Sequence, residues 1–381
     1  MRVLLLSPFA PAGRHEHAAA DTIVQLVPRL AAKTELFVYS PEHDAESRAD
    51  GWTPLAPQAP HVSGPLDRLG VNPGWLRQAW PRTATREVLD LVRRLKPDVV
   101  HAEYLQSAEV VTSVDNTVLT LHDITENVMA ESYRASSGPE SAYRLAELLR
   151  TRRFERTAMR RAGFLMTLSE ADHTIASRFN AHTALVRPGI DIGPVAWTAP
   201  PAGTPPRLVF AGAMWRRANV LAARLLADEV MPLVWRTFPE AELRIVGARP
   251  TDEVLGLAHA DSRVVVTGAV PELRDEMLAA HAVVVPSVLG GGVLMKVVHA
   301  MALGCPVVTS PGPADSVDAD ETMLFTGRTA EELAAGIRLA LEDPRVAADR
   351  GGRARAHIDR TFRWDDTVHA YLDAYAIASR R

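Results

Sequence analysis

Short unbroken apolar runs alternate with longer stretches of helical spacing along almost the whole chain. Residues 3–6 form the first run, and a polar loop with Pro11, Gly13 and Arg14 follows. Residues 18–32 then place Ile23, Val24, Leu26, Val27 and Leu30 at mostly helical spacing, and residues 35–39 read as the next strand. Runs at 99–101, 117–121 and 164–168 predict further strands. Continuous rather than alternating apolarity is what a parallel sheet covered on both faces requires.

Between residues 194 and 206 the pattern lapses into Pro194, Pro200, Pro201, Pro205, Pro206 and Gly203. Such a stretch can neither continue a helix nor fill a central strand, so it predicts an interdomain linker. The alternation then restarts: strands at 208–211, 243–246, 264–267, 282–285 and 307–310, with helices at 220–238 and 294–303. Pro232 predicts a kink or early break in the first of these helices. Two successive α/β halves imply two doubly wound, Rossmann-like domains, residues 1–193 and 207–364. A length of 381 residues fits two cores better than one.

Composition narrows the function without naming it. With 47% hydrophobic and 23% charged residues the chain reads as a globular protein. A net charge of -4 gives no electrostatic case for a nucleic-acid partner. The single cysteine, Cys305, excludes an intrachain disulfide and suits a reducing cytoplasm. No apolar run approaches the roughly 20 residues that span a bilayer. The opening run breaks at Ser7 and Pro8, so it predicts a buried strand and not a signal peptide.

The segment 286–309 carries the most chemistry. A strand ends at Pro286, three glycines (Gly290, Gly291, Gly292) make the turn, and Val293 and Leu294 open a helix that stops before Gly304. Glycines at a helix N-terminus admit a phosphate, whose charge the first-turn N–H groups and helix dipole favour. Taken alone, three glycines favour a plain strand–helix connection with no ligand. Neither a GxGxxG nor a P-loop pattern is present.

The stretch from Lys296 through Ala300, Met301, Ala302, Gly304, Pro306, Val307 and Val308 resembles the Lys-x-x-Glu-Ala-Met-Ala-x-Gly-x-Pro-Val-Val signature of family 4 glycosyltransferases. Residues 207–212, 242–247, 264–270 and 186–191 resemble other elements of that family, in the family's order. Phe362, Trp364 and Asp365 resemble the Phe-Ser-Trp-Asp that opens its C-terminal helix. The resemblance implies the GT-B fold: two Rossmann-like domains with an interdomain cleft and a C-terminal crossover helix, residues 365–381, returning to the first domain. It also implies a retaining transferase that takes a UDP- or GDP-sugar as donor substrate, without a metal or a permanently bound cofactor. A small molecule, natural product or envelope glycan would be the acceptor. A bacterial source, a cytoplasmic location and a homodimer are compatible with it. A non-catalytic pseudo-glycosyltransferase subunit and a GT-B nonhydrolysing epimerase stay open as alternatives.

By the same resemblance, Gly212, Gly268 and Val270 would line the nucleotide with the glycine turn, and Lys296 would meet the diphosphate. His122, ending the strand 117–121, would lie near the donor sugar. It would position that sugar while its backbone carbonyl faces the developing positive charge, with no dedicated base. The sequence departs from the family at two places. The two glutamates around the glycine turn are replaced by Gly291 and His299, the latter still able to bond a ribose hydroxyl. The usual Arg and Lys of the diphosphate loop are Ala213 and Ala218, which leaves Arg216 and Arg217 to supply charge from shifted positions.

His15, Glu16 and His17 invite a metal reading, but adjacent residues on an extended loop point alternately, and no further ligands are recognisable. Their position resembles the family's glycine-containing loop facing the cleft, which implies that Gly13, His15 and His17 touch the acceptor or a phosphate. Seven arginines between 144 and 161, interrupted by Glu147 and Glu155, read as a solvated helix face in preference to a membrane-docking patch.

Overall fold

The computed structural model describes residues 1–11, 18–42, 51–57, 70–288 and 292–380. The chain divides into two compact units: Met1–Pro188 with Asp365–Arg381, and Gly189–Trp364. In the first unit lie β1 (Arg2–Leu6), β2 (Glu35–Tyr39), β3 (Thr53–Leu55), β4 (Val99–Glu103), β5 (Thr117–Leu121), β6 (Phe164–Thr167) and β7 (Thr183–Leu185). They form one parallel sheet of order β3-β2-β1-β4-β5-β6-β7. The second holds β8 (Arg207–Ala211), β9 (Glu242–Val246), β10 (Val264–Gly268), β11 (Ala282–Val285), β12 (Val307–Thr309) and β13 (Phe325–Thr326). Their order, β10-β9-β8-β11-β12-β13, is parallel too and repeats the plan of the first sheet.

In both sheets growth reverses beside the first strand. The reversals fall between β1 and β4 in one unit and between β8 and β11 in the other. Open α/β sheets receive their ligands at this point, outside the carboxyl ends of the strands. The apolar runs explain the strands: β1, β4, β5, β6, β11 and β12 are buried along essentially their whole length. One strand exceeds its apolar run. β4 continues past His101 to Glu103, and both polar side chains are fully buried.

The chain leaves the first unit between Pro188 and Gly189. The proline-rich stretch that follows is tied to the second unit. Trp197 is buried there, its backbone N–H bonding Leu303 and its indole N–H the carbonyl of Ala280. Arg355 donates to the carbonyls of Gly193, Val195 and Ala302. The helix expected over 220–238 starts earlier and changes pitch. Arg217–Arg224 is α-helical, Leu225–Val230 is a π-helical turn, and Met231–Val234 resumes with Pro232 in its first turn. Proline is tolerated there because the N–H it lacks has no partner in a first turn.

The arginine-rich helix Gly138–Arg161 shows what its two interrupting glutamates do. Glu147 accepts the backbone N–H of Gly74 at 2.8 Å, at the start of the helix Gly74–Ala79. Glu155 accepts those of Thr125 and Glu126, both at 2.8 Å, at the start of Thr125–Arg134. Each buried carboxylate therefore caps another helix, while Arg152 and Arg156 pair with Glu126 and Arg144 with Glu140. Helix N-termini leave donors that must be met. Glu155→Ala is expected to cost about 2 kcal/mol, read as a lower thermal midpoint of the full chain; an unchanged midpoint would refute the capping role. Among the described residues, no helix is long and apolar enough to cross a membrane.

Candidate functional site

The loops flanking the switch point of the second unit are those that follow β8 and β11. The β8 loop opens at Gly212, whose N–H bonds the Val246 carbonyl at 3.0 Å. A Cβ on Gly212 would lie 2.7 Å from the Asn219 amide nitrogen. One on Gly247 would lie 1.7 Å from the Gly212 carbonyl oxygen, and Gly247 has φ of 151°. Two backbones therefore touch here, and only glycine fits between them. Gly268, at the end of β10 with φ of 69°, accepts the Gly247 N–H at 2.9 Å. Val270 packs just beyond it against Val209, Val246 and Ala280.

The β11 loop leads through Gly292 (φ 74°), Val293 and Leu294 into the helix Met295–Leu303. Leu294 stands at the N-cap position without a side-chain cap; the Val297 N–H bonds its carbonyl at 2.8 Å, and the N–H groups of Met295 and Lys296 are left to meet an anion. Gly304, at φ of 75°, ends the helix in the left-handed conformation. Of the three glycines of the turn, Gly290 and Gly291 lie outside the described residues, as do Gly13, His15 and His17.

Lys296 projects from the first turn of this helix. Its Nζ donates to Asn219 Oδ1 at 2.8 Å and lies 4.7 Å from the centre of the Phe210 ring. The Asn219 amide nitrogen donates in turn to the Ala213 carbonyl at 2.9 Å, which ties the lysine to the β8 loop. Burial, helped by the nearby charge of Arg216, pushes Lys296 down from 10.5 to about 7. Arg216 is exposed and makes no side-chain hydrogen bond to the described residues, whereas Arg217 is held by Glu253 at 3.0 Å. Arg216 thus lies close enough to Lys296 for its charge to act on it, while Arg217 is engaged elsewhere. His299, one turn after Lys296, has no hydrogen-bond partner among the described residues, and burial pushes its imidazole down. It stays neutral near pH 7 with one donor and one acceptor unmet.

Lys296, Arg216 and open amides thus stand at the carboxyl edge of the second sheet, with the unpaired imidazole of His299 one turn further along the helix. None of the cations but Arg217 has a carboxylate partner among the described residues. The arrangement suits an anion carrying hydroxyl groups.

The first unit holds a second constellation at its own carboxyl edge. Glu103, ending β4, and His122, just past β5, meet at 2.8 Å through Oε2 and Nε2. Glu103 Oε1 accepts the Tyr371 hydroxyl at 2.8 Å and lies 3.1 Å from His101 Nε2. His101 bonds Thr120 and Tyr375. Burial pushes the Glu103 carboxyl up, but His101 and His122 outweigh it and hold it down at about 2. Tyr104 stacks on the His122 ring at 3.5 Å and adopts φ of 65°, a strained backbone for a side chain of this size.

Asn219 and Glu103 are the site residues that sequence reasoning missed. Asn219 lies 77 positions from the lysine it binds. Glu103 had one local signal, a carboxylate inside a strand that pairs on both sides, and such a residue needs a buried partner. Among the described residues no group of His, Cys, Asp and Glu could hold a metal ion.

Residues 18–189 match a family described as glycosyl transferase 4-like domain, and residues 205–343 one described as glycosyl transferases group 1. No curated protein matches the chain in sequence. Among solved structures it is similar to sucrose-phosphate synthase from Thermosynechococcus elongatus, at 19% identity and a TM-score of 0.75 over 98% of each chain. Similar, too, is WaaG, a glycosyltransferase involved in lipopolysaccharide biosynthesis, at 15% identity, a TM-score of 0.69 and coverage of 98% of this chain and 99% of that one. Anabaena Alr3699/HepE in complex with UDP and glucose matches at 16% identity and a TM-score of 0.66 over 99% of each chain.

Proposed function

Because the chain is a glycosyltransferase of GT-B fold, 4-like in its first half and group 1 in its second, we propose that it transfers a sugar from a UDP- or GDP-sugar with retention of configuration. The acceptor would be a small molecule, a natural product or an envelope glycan. The observation that carries the donor reading is the cation-rich switch point of the second unit: Lys296 held by Asn219 at the uncapped start of a helix, beside Arg216. Similarity to a structure solved with UDP-glucose supports a nucleoside-diphosphate donor.

In this reading the diphosphate meets the open amides after Leu294, the Lys296 ammonium and Arg216, and the glycine loops let the backbone approach it. Positive charge fixed there stabilises the phosphate as it leaves, when its negative charge grows. The departing phosphate takes the acceptor proton, and His122 positions the sugar. His299 takes the ribose, as its unmet donor and acceptor suggest. Retention of Lys296 and of the glycine loops favours a working transferase over a non-catalytic subunit.

Calorimetry of the full chain against UDP, GDP and UDP-glucose tests the donor. Micromolar binding of one nucleotide is expected, and failure of both UDP and GDP to bind at millimolar concentration would sink the proposal. His299→Ala is expected to weaken the preferred nucleotide about three- to tenfold, the worth of one hydrogen bond. An unchanged Kd would remove His299 from the ribose.

A further inference from the structure

We propose that Glu103 is a positioning residue of the transfer: it binds Nε2–H of His122 and so fixes the imidazole tautomer, leaving Nδ1 as the ring nitrogen that meets a hydroxyl of the donor sugar. The inference rests on the reading of His122 as the sugar contact and goes beyond it by naming the atom, its hydrogen-bonding sense and the group that sets both.

The geometry allows Glu103 little freedom. Its side chain is completely buried, and each carboxylate oxygen is engaged: Oε1 by the Tyr371 hydroxyl at 2.8 Å and by His101 Nε2 at 3.1 Å, Oε2 by His122 Nε2 at 2.8 Å. His101 is anchored in turn by Thr120 at 2.9 Å and Tyr375 at 2.7 Å. The groups facing Glu103 therefore come from β4, β5, the residue after β5 and the helix Trp364–Ala378. An ionised carboxylate only accepts, so His122 Nε2 must carry a proton. In the neutral ring that makes Nδ1 the acceptor.

Nδ1 has no hydrogen-bond partner among the described residues, and the His122 side chain is the one member of the His101–Glu103–His122 set with solvent exposure, 17%. Its ring cannot readily turn, because Tyr104 stacks on it nearly parallel and Phe9 meets Tyr104 edge-on at 5.1 Å. A free acceptor on a fixed ring selects an O–H donor, which a sugar hydroxyl supplies. Tyr104 holds this stack from a left-handed φ, a strain sustained only where the surroundings over-determine the conformation.

Long-range proton–nitrogen-15 spectra of the histidine-labelled full chain test this directly, with His122 assigned by the signals lost in His122→Ala. At about pH 8, above the ordinary imidazole range, the proton is expected on Nε2. Glu103→Gln, whose amide can donate or accept, should give a mixture of tautomers. A parent ring protonated on Nδ1 overturns the inference, and so does a His122 spectrum unchanged by Glu103→Gln. The parent spectrum decides the matter even where Glu103→Gln does not fold.

Turnover of UDP-glucose is the second readout. Glu103→Gln should lower kcat roughly a hundredfold, the scale of a misplaced contact, with the UDP Kd unchanged. Impaired turnover in His122→Ala beside normal turnover in Glu103→Gln overturns the positioning role. Parent-level turnover in His122→Ala sinks the sugar-contact reading instead, and the spectra then still report whether Glu103 sets the tautomer.

Discussion

Lys296→Met is expected to lower kcat/KM for the sugar nucleotide about a thousandfold, the upper range for removing one charged contact from a developing anion. Methionine keeps the length and apolar contact of the stem, including the approach to Phe210, and removes only the charge. The loss should fall mainly on kcat, because the phosphate gains charge as the bond to the sugar breaks. Parent-level kcat in Lys296→Met would refute the assignment.

The same residue predicts a dependence on pH. Without ligand, Lys296 loses its proton near pH 7 because its ammonium is buried beside Arg216. An incoming diphosphate restores the charged form, so binding above that point must take up a proton. The UDP Kd should therefore rise toward tenfold per pH unit between about pH 7.5 and 9, with about one proton absorbed. Calorimetry in buffers of different ionisation enthalpy measures that uptake directly. The stability of the unliganded protein follows the opposite sign. Its folded lysine titrates near 7 and its unfolded lysine near 10.5, so between those values the unfolded chain binds more protons and stability rises with pH. Zero proton uptake at pH 8.5 would contradict the buried ammonium.

Gly247→Ala is the second large effect. The new methyl would sit 1.7 Å from the Gly212 carbonyl oxygen, at a φ of 151° that L side chains rarely adopt. Backbone and not a flexible side chain stands in the way, so the β8 loop must move. Overpacking and strain together suggest about 4 kcal/mol, or roughly a 10 °C fall in the unfolding midpoint of the full chain. UDP affinity should fall too, since Gly212 leads the loop into the helix that carries Asn219, which holds Lys296. Gly256→Ala is the control: it lies in the helix Asp252–Ala260 with no atom within 4 Å of the added methyl. Helix propensity alone should leave it equal to the parent or up to about 1 kcal/mol more stable. Equal midpoints for Gly247→Ala and the parent would disprove the close contact.

Local pattern carried most of the fold. Parallel strands buried on both faces must be apolar throughout, so runs such as 117–121 and 282–285 stand out without knowledge of their partners. The strand and helix that flank the glycine-rich segment, Ala282–Val285 and Met295–Leu303 with Lys296, were legible for a similar reason, being close together in sequence. Pairings across the chain were not. Nothing near Glu147 or Glu155 distinguishes a buried cap from a surface charge, because the amides they meet belong to other helices. Arg216 and Arg217 look equivalent in sequence, and only Glu253, 36 positions from Arg217, separates them.

The helix that seals Glu103 belongs to the first unit but is encoded after all of the second. Tyr371 follows Glu103 by 268 positions. At synthesis rates of roughly 5–20 residues per second, roughly 15–50 s separate the appearance of the two on the ribosome. During that interval Glu103 and His101 lack the tyrosines that close over them. The first unit is thus begun before the second and closed only after it.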